Sequence, residues 1–264
     1  MKIMTVVTAT ATTPPLSAIP AAPGPTDAEL LMLAAAHPEY EFPRHAPLSA
    51  AHNAHYTNTR AQLAYALEHS YNELEGDVRF RDGIAVMAHD SDRAADLTFE
   101  QWAIAVARSG RMLRIDLKDI KALPGVMATV KRLGIPDNRL SFNVSVYMPF
   151  MSSNASATQL DDLRARFPES YITFNLPFPA LPGYWLVEHS AHRVGGPTGV
   201  ALMGQLATAS AIAHLRKHGV TVNVWNHPPL WAPEDVAAET ARLRALGVDG
   251  QIDLRREDDP LAGD

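Results

Sequence analysis

Cysteine is absent from this 264-residue chain, which excludes a disulfide framework, a thiol nucleophile and any zinc centre built on thiolates. Long apolar runs are missing too. No stretch approaches the roughly 18–20 residues that span a bilayer, so no transmembrane segment is expected. The opening MKIMTVVTATATTPP has one lysine and a very short apolar stretch, less than the roughly 7–15 residues of a secretory core. A cytoplasmic location is the resulting expectation. Basic excess is lacking: 29 Asp and Glu stand against 23 Lys and Arg, a net charge of −6, which argues against nucleic acid as a partner. A small anionic ligand stays open, because local charge can oppose net charge. No Gly-x-Ser-x-Gly elbow and no His-Glu-x-x-His helix occur, so serine-hydrolase and zincin chemistry have no support.

What is present is a folded chain of one-barrel length. Hydrophobic residues make up 47% and charged residues 20%, which disfavours wholesale disorder. Residues 1–46 read as a Pro/Ala-rich leader with one short helix, capped by Thr26 or Asp27, formed by Ala28–Ala36 and stopped at Pro38. Strand and helix signals alternate from about residue 48. Helices are expected over Thr59–Glu68, Leu97–Ser109, Pro124–Leu133, Thr158–Phe167, Val200–His218 and Pro233–Leu246. Strands are expected over Asn72–Phe80, Ile84–His89, Met112–Lys118, Leu140–Tyr147, Tyr171–Leu176, Val220–Trp225 and Val248–Leu254. Leu181–Val194 is ambiguous, with an extended core at Trp185–Val187. About eight β/α units in one run predict a single-domain (β/α)₈ TIM barrel over residues 47–264. An open doubly wound sheet is the alternative.

Two strands break the rule that buried parallel strands are continuously apolar. In the first, Leu74, Gly76, Val78 and Phe80 alternate with Glu73, Glu75, Asp77 and Arg79. In the second, Leu113, Ile115 and Leu117 alternate with Arg114, Asp116 and Lys118. Side chains two apart share a face, so in a barrel the charged face points into the lumen. Burying such charges costs several kcal/mol per unpaired ion. They must therefore be paired, hydrated or bound to metal. A wet antiparallel face and a purely structural ion-pair cluster are the bland readings; a site at the strands' carboxyl ends is the functional one. Glu75, Asp77 and Asp116 suit a hard divalent cation, Mg²⁺ or Ca²⁺, better than zinc. Lys118 can then meet a phosphate oxygen as a point charge.

Histidines complete the set. His89 ends the apolar run Ala85–Ala88, fourteen positions after Glu75, and His55 lies twenty positions before it, with His52 nearby. Two histidines flanking a metal can divide general-base and general-acid duties. Trp225 and Asn226, ending a strand, are candidates for the pocket mouth, and Gly195–Gly199 is read as a loop before a long helix that could hold an anion. Glu188, His189 and His192 are placed near another strand end.

These pieces resemble the phospholipase-C-like phosphodiesterase superfamily, whose glycerophosphodiester phosphodiesterases carry an early His, Glu-x-Asp, a His-Asp after a short apolar run, and an acid-x-Lys strand. The similarity is nearest to the menorin-like branch, on His55-Tyr56-Thr57-Asn58, Leu74-Glu75-Gly76-Asp77-Val78, Val86-Met87-Ala88-His89, Asp96 to Trp102 and Arg114-Ile115-Asp116-Leu117-Lys118. The resemblance implies a (β/α)₈ phosphodiesterase acting on a glycerophosphodiester or lysophospholipid-like small molecule. Glu75, Asp77 and Asp116 would be metal ligands, His55, His89 and Lys118 catalytic, and Asn58 and Trp225 substrate contacts. It departs from the glycerophosphodiesterases in lacking their His-Arg-Gly and in having Asp116 where they carry glutamate. A phosphodiester lyase giving a cyclic phosphate and a non-catalytic binding barrel are the alternatives.

Overall fold

The computed structural model describes residues 24–43, 46–146, 152–176, 181–225 and 230–261. Most of the leader, and Asn226, lie outside the described residues. Among the described residues, eight parallel strands form a nearly closed barrel with eight α-helices. After α1 (Asp27–Ala36), the barrel runs β1 (Asn53–Ala54), α2 (Arg60–Glu68), β2 (Glu73–Arg81), β3 (Ile84–Met87), α3 (Phe99–Arg108), β4 (Met112–Leu117) and α4 (Leu123–Leu133). It continues through β5 (Leu140–Val144), α5 (Ala157–Arg166), β6 (Tyr171–Leu176), α6 (Leu181–Val194), β7 (Thr198–Met203), α7 (Ala209–Lys217), β8 (Thr221–Trp225), α8 (Pro233–Ala245) and β9 (Ile252–Asp253). The spatial order is β1-β2-β4-β5-β6-β7-β8-β9, all parallel, and β3 pairs antiparallel with β2 as a hairpin. The TIM barrel expected from strand-helix alternation is the fold observed.

Local chemistry explains the element ends. Capping boxes open α1 at Thr26/Glu29, α2 at Thr59/Gln62, α3 at Thr98/Gln101 and α5 at Ser156/Gln159, each satisfying two otherwise orphaned backbone N–H groups. Gly134, at φ 64°, ends α4 in the left-handed conformation that costs glycine least. On β2 the apolar residues Leu74 and Val78 turn outward to the helices and are fully buried, as are Leu113, Ile115 and Leu117 on β4. Between them Gly76 lets α3 approach closely. A Cβ there would collide with Met87 and stand 3.2 Å from the Trp102 ring. The floor of the lumen is plugged by Phe42, Leu48 and Met112, with Tyr171 against them.

No ladder joins β9 to β1 among the described residues. Side chains span that seam instead: Asn53 Nδ2 donates to Asp253 Oδ2 at 2.8 Å, and Gln251 Nε2 donates to Glu73 Oε1.

Three expectations change. Leu181–Val194 is helix α6, because its buried residues Val187, Ala191 and Val194 recur at helical spacing while Trp185 is exposed. Val200 does not begin a long helix. Residues 198–203 are β7, with Val200, Ala201 and Leu202 buried between β6 and β8, and α7 begins only after the Thr208 cap. Gly195–Gly199 therefore leads into a strand, not a helix, so it supplies no helix N-terminus for an anion. Arg164 Nη2 instead donates to the Pro197 carbonyl there at 3.0 Å.

Candidate active site

The carboxyl ends of β1, β2 and β4 and the segment that follows β3 converge on one spot. Register places Glu75 beside Arg114 and Asp77 beside Asp116 on the lumen face. The segment after β1 runs along β2, with Thr57 N–H donating to the Glu75 carbonyl at 2.9 Å. This brings His55 to Asn58 level with the two acids. On the other side the hairpin folds β3 back, and Ala88 N–H donates to the Asp77 carbonyl at 2.9 Å. That sets His89 over the same strand end.

Glu75, Asp77 and Asp116 each offer a carboxylate oxygen, all within 4.8 Å of one another, and all three residues are buried. Lys118 Nζ lies 2.9 Å from Asp116 Oδ2 and 3.1 Å from Asp77 Oδ1. Three carboxylates thus face one ammonium. Three groups respond to this crowding. Burial, with Asp77 next to it, pushes the Glu75 carboxyl up to about 7. Burial works against the Lys118 charge, but Asp116, Asp77 and Glu75 outweigh it and hold the ammonium well above its usual range. Burial also opposes the Asp77 charge, yet Lys118 and the Asn58 amide keep that carboxyl below its ordinary value.

The donor set fits a hard cation. Its atoms are all carboxylate oxygens on rigid strands, and the three acids outnumber the one ammonium beside them. Glu75, Asp77 and Asp116 are the residues that could hold such an ion.

Asn58 is committed to Asp77. Its Nδ2 donates to Asp77 Oδ2 at 2.6 Å, and its Oδ1 accepts from Asp77 N–H at 2.7 Å. Both ends of the amide orient the acid, so this residue clamps a carboxylate rather than lining open space. Thr57 supports the same segment, donating to the Glu75 carbonyl at 2.6 Å while accepting from Trp102 Nε1 at 2.8 Å.

His55 Nδ1 lies 2.7 Å from Asp253 Oδ2, and its Nε2 lies 4.0 Å from Glu75 Oε2. Burial opposes its protonation, but Glu75 and Asp253 outweigh this and raise its pKa. His52 sits at the other end of β1 with its Nδ1 3.0 Å from the Ser70 carbonyl, away from the acids. His89 is half-exposed, its Nδ1 2.8 Å from Asp90 Oδ1, and Arg79 Nε donates to its carbonyl at 2.8 Å. Trp225 shares the lumen-facing register of Asp253 at the mouth.

Four contributors escaped the sequence reading. Tyr56 stands between the two histidines, its ring edge-on to His55 at 4.5 Å and to His89 at 5.2 Å. Its φ of 56° is unusual for a non-glycine residue, and it lets the Tyr56 N–H donate to Glu75 Oε2 at 2.9 Å. The Arg255 guanidinium lies over the same ring at 5.4 Å. Asp253 orients His55. Asn143, in register with Asp116, buries an Oδ1 with no donor among the described residues. The positive φ of Tyr56 has no sequence signal, whereas Asp253 lay inside the expected last strand and could have been flagged as a carboxylate at a strand's end.

Glu188, His189 and His192 lie on α6, outside the barrel wall, and take no part in this site.

Residues 48–172 match the family model of the Menorin N-terminal domain, a stretch that contains His55, Glu75, Asp77, His89, Asp116 and Lys118. Among solved structures, one similar fold is that of a protein assigned as a glycerophosphodiester phosphodiesterase from Galdieria sulphuraria. It is 15% identical, with 82% of this chain and 90% of the other covered at a TM-score of 0.53. Another is an Oleispira antarctica phosphodiesterase in complex with its product sn-glycerol-3-phosphate, also 15% identical, with 69% and 81% covered at a TM-score of 0.50. At that identity the likeness is one of fold. No curated protein sequence matches significantly. The resemblance to the menorin-like branch, drawn from the motifs, is met by the family model over residues 48–172, and the solved structures share the fold.

Proposed function

We propose that this protein is a divalent-cation-dependent phosphodiesterase acting on a glycerophosphodiester or lysophospholipid-like substrate at the barrel mouth. The observation that carries the reading is the buried cluster of Glu75, Asp77 and Asp116 facing a single ammonium, Lys118, with two histidines flanking it. A buried surplus of negative charge costs stability, and is understandable where a cation and an anionic substrate complete the site.

Glu75, Asp77 and Asp116 would hold Mg²⁺ or Ca²⁺. When bound, such a cation supplies positive charge against the phosphoryl oxygens and lowers the cost of the charge that builds on them in the transition state. The remaining duties fall to the chain's own side chains. Asp253 holds His55 Nδ1, which leaves Nε2 as the atom that faces the cluster. Asp90 holds His89 Nδ1 in the same manner from the opposite side. Of these two imidazoles, one takes the proton of the attacking water and the other gives a proton to the departing alkoxide as the phosphorus–oxygen bond breaks. Lys118 is the nearest fixed cation to meet a phosphate oxygen. Tyr56 keeps the two rings apart and in place, and Trp225 supplies an apolar wall.

The test is turnover of a panel of glycerophosphodiesters and lysophospholipids, with bound metal measured on the same samples. Wild type should bind about one divalent cation at the mouth and release a phosphomonoester, with turnover abolished by chelation and restored by Mg²⁺ or Ca²⁺. Phosphorus NMR separates an open monoester from a cyclic phosphate. Cation-free, inactive wild type whose stability is unmoved by Glu75→Gln would sink the reading.

A further inference from the structure

A second cluster of metal-ligating side chains lies on the outer wall of the barrel. Glu188, midway along α6, faces His214 in the last turn of α7 and His218 at its cap. One ligand atom from each lies within 4.8 Å of the other two. Glu188 Oε1 is 2.6 Å from His214 Nε2, and Oε2 is 3.7 Å from His218 Nδ1. The two imidazoles are four residues apart, with ring centres 5.0 Å apart and planes tilted by 39°, and the Tyr184 ring lies 4.9 Å from His214.

We propose that Glu188, His214 and His218 form a transition-metal site, selective for Zn²⁺ over Mg²⁺ and Ca²⁺, that clips α6 to α7. Three observations carry this. Imidazole nitrogens are ligands for zinc and its neighbours, whereas hard cations take oxygen sets like the one at the mouth. Helical spacing of four places both rings on one side of α7, facing the carboxylate of α6. Glu188 Oε1 is buried and accepts no hydrogen bond, although an imidazole nitrogen is this close. The pair therefore does not have the in-line geometry of a settled hydrogen bond. Around tetrahedral zinc, ligand atoms stand about 3.4 Å apart, as bond lengths of roughly 2.0–2.2 Å require. The 3.7 Å contact already matches, and the 2.6 Å contact needs only to open by a side-chain rotation. Both histidines are more than one-third exposed, so the ion has access and the fourth position is left for water.

The location gives the role. Helices run antiparallel to the strands they follow, so the end of α7 lies at the amino-terminal rim, where Gly219 leads into β8. That is the opposite end from Glu75, Asp77 and Asp116, and in this fold it is the end concerned with stability. The site ties together the two helices that flank β7, and it is independent of the phosphodiesterase reading.

The experiment uses the full-length chain dialysed against Zn²⁺ with Mg²⁺ in excess, reading zinc per chain and melting temperature together. Wild type should retain about one Zn²⁺, and Zn²⁺ should raise its melting temperature by about 5–10 °C at saturation. His214→Gln and Glu188→Gln should lose both the ion and the shift, while keeping wild-type circular dichroism and wild-type melting without metal. Asp116→Asn should retain the zinc. Co²⁺ in place of Zn²⁺ should give a tetrahedral ligand-field spectrum that His218→Gln abolishes. Wild type without zinc overturns the proposal, and so does zinc retained by His214→Gln or lost only in Asp116→Asn.

Discussion

The lumen of this barrel contains two charged layers, one above the other on the same two strands, and they are built to opposite specifications. In the lower layer Glu73 on β2 meets Arg114 on β4 at 3.7 Å, Gln251 bridges the two, and Phe42, Leu48 and Met112 close the floor beneath. One carboxylate faces one guanidinium, and an amide fills the gap between them. In the upper layer Glu75, Asp77 and Asp116 gather around one ammonium, Lys118, with His55 4.0 Å from Glu75. Both layers are buried, and both come from the same alternation of charged and apolar residues. Balance of charge is what separates them. In the lower layer carboxylate and guanidinium are matched one to one, while in the upper three carboxylates outnumber one ammonium, the surplus that the proposed cation and substrate would meet.

The sharpest way to break this comparison is to remove charge from each layer in turn. Glu75→Gln should lower phosphodiester turnover by about 10³-fold or more, the scale expected when charge stabilisation of the transition state is lost. In cation-free buffer its melting temperature should equal or exceed that of wild type, because one of three mutually repelling buried carboxylates is gone. Arg114→Met, one layer down, should do the reverse. It leaves the buried Glu73 carboxylate without its counter-charge, so it should cost about 3–5 kcal/mol of stability, visible in urea unfolding with or without cation. If Arg114→Met is harmless and Glu75→Gln unfolds the protein, the functional and structural assignments of the two layers are exchanged.

That both layers exist was legible in the sequence, because the period-two alternation of Glu73, Glu75 and Asp77 against Leu74, Gly76 and Val78 survives folding intact. The division between them was not. Arg114 could be read as part of a charged face, but its partner Gln251 is 137 residues away and belongs to a segment that pairs only across the barrel's seam. Asp253 poses the same problem, 198 residues from His55 and on a two-residue strand. Spacing rules report neighbours along the chain, whereas barrel closure brings its ends together. The misreading of 181–206 has a local cause: four apolar residues from Val200 to Met203 fit a strand or a helix equally well, and only their burial on both faces, next to β6 and β8, decides for the strand.

A smaller effect tests how the upper layer is held open. Asn58 spends both ends of its amide on Asp77, so Asn58→Ala should weaken cation binding by about 10–100-fold, as loss of a group that orients a ligand does. Asn58→Asp would set a fourth carboxylate against Asp77 and should be worse than Ala. Isothermal titration with Mg²⁺ and Ca²⁺ measures both. Equal affinity in all three proteins would mean that Asp77 needs no clamp.

The seam itself offers the mildest perturbation, and acid is the reagent. Burial disfavours the charged form of Asp253, but His55, Arg114 and Asn53 outweigh it and hold its carboxyl down to about 2, against an ordinary 3.8. A carboxyl whose folded pKa is depressed contributes stability that is fully present above the unfolded value and disappears as pH falls through the folded one. The window is therefore about pH 4 down to about pH 2, and the size is about 2 kcal/mol. Asp253→Asn keeps the shape and removes the titration, so its unfolding free energy should lie below wild type at neutral pH and converge on it between pH 4 and pH 2. The same substitution removes the carboxylate on His55 Nδ1 and leaves only Glu75 on its other side, so the imidazole should titrate at lower pH by NMR, and the pH profile of turnover should move in step. Stability curves that stay parallel down to pH 2 would show that Asp253 is held no more tightly folded than unfolded, and that β9 closes the barrel by contacts other than this one.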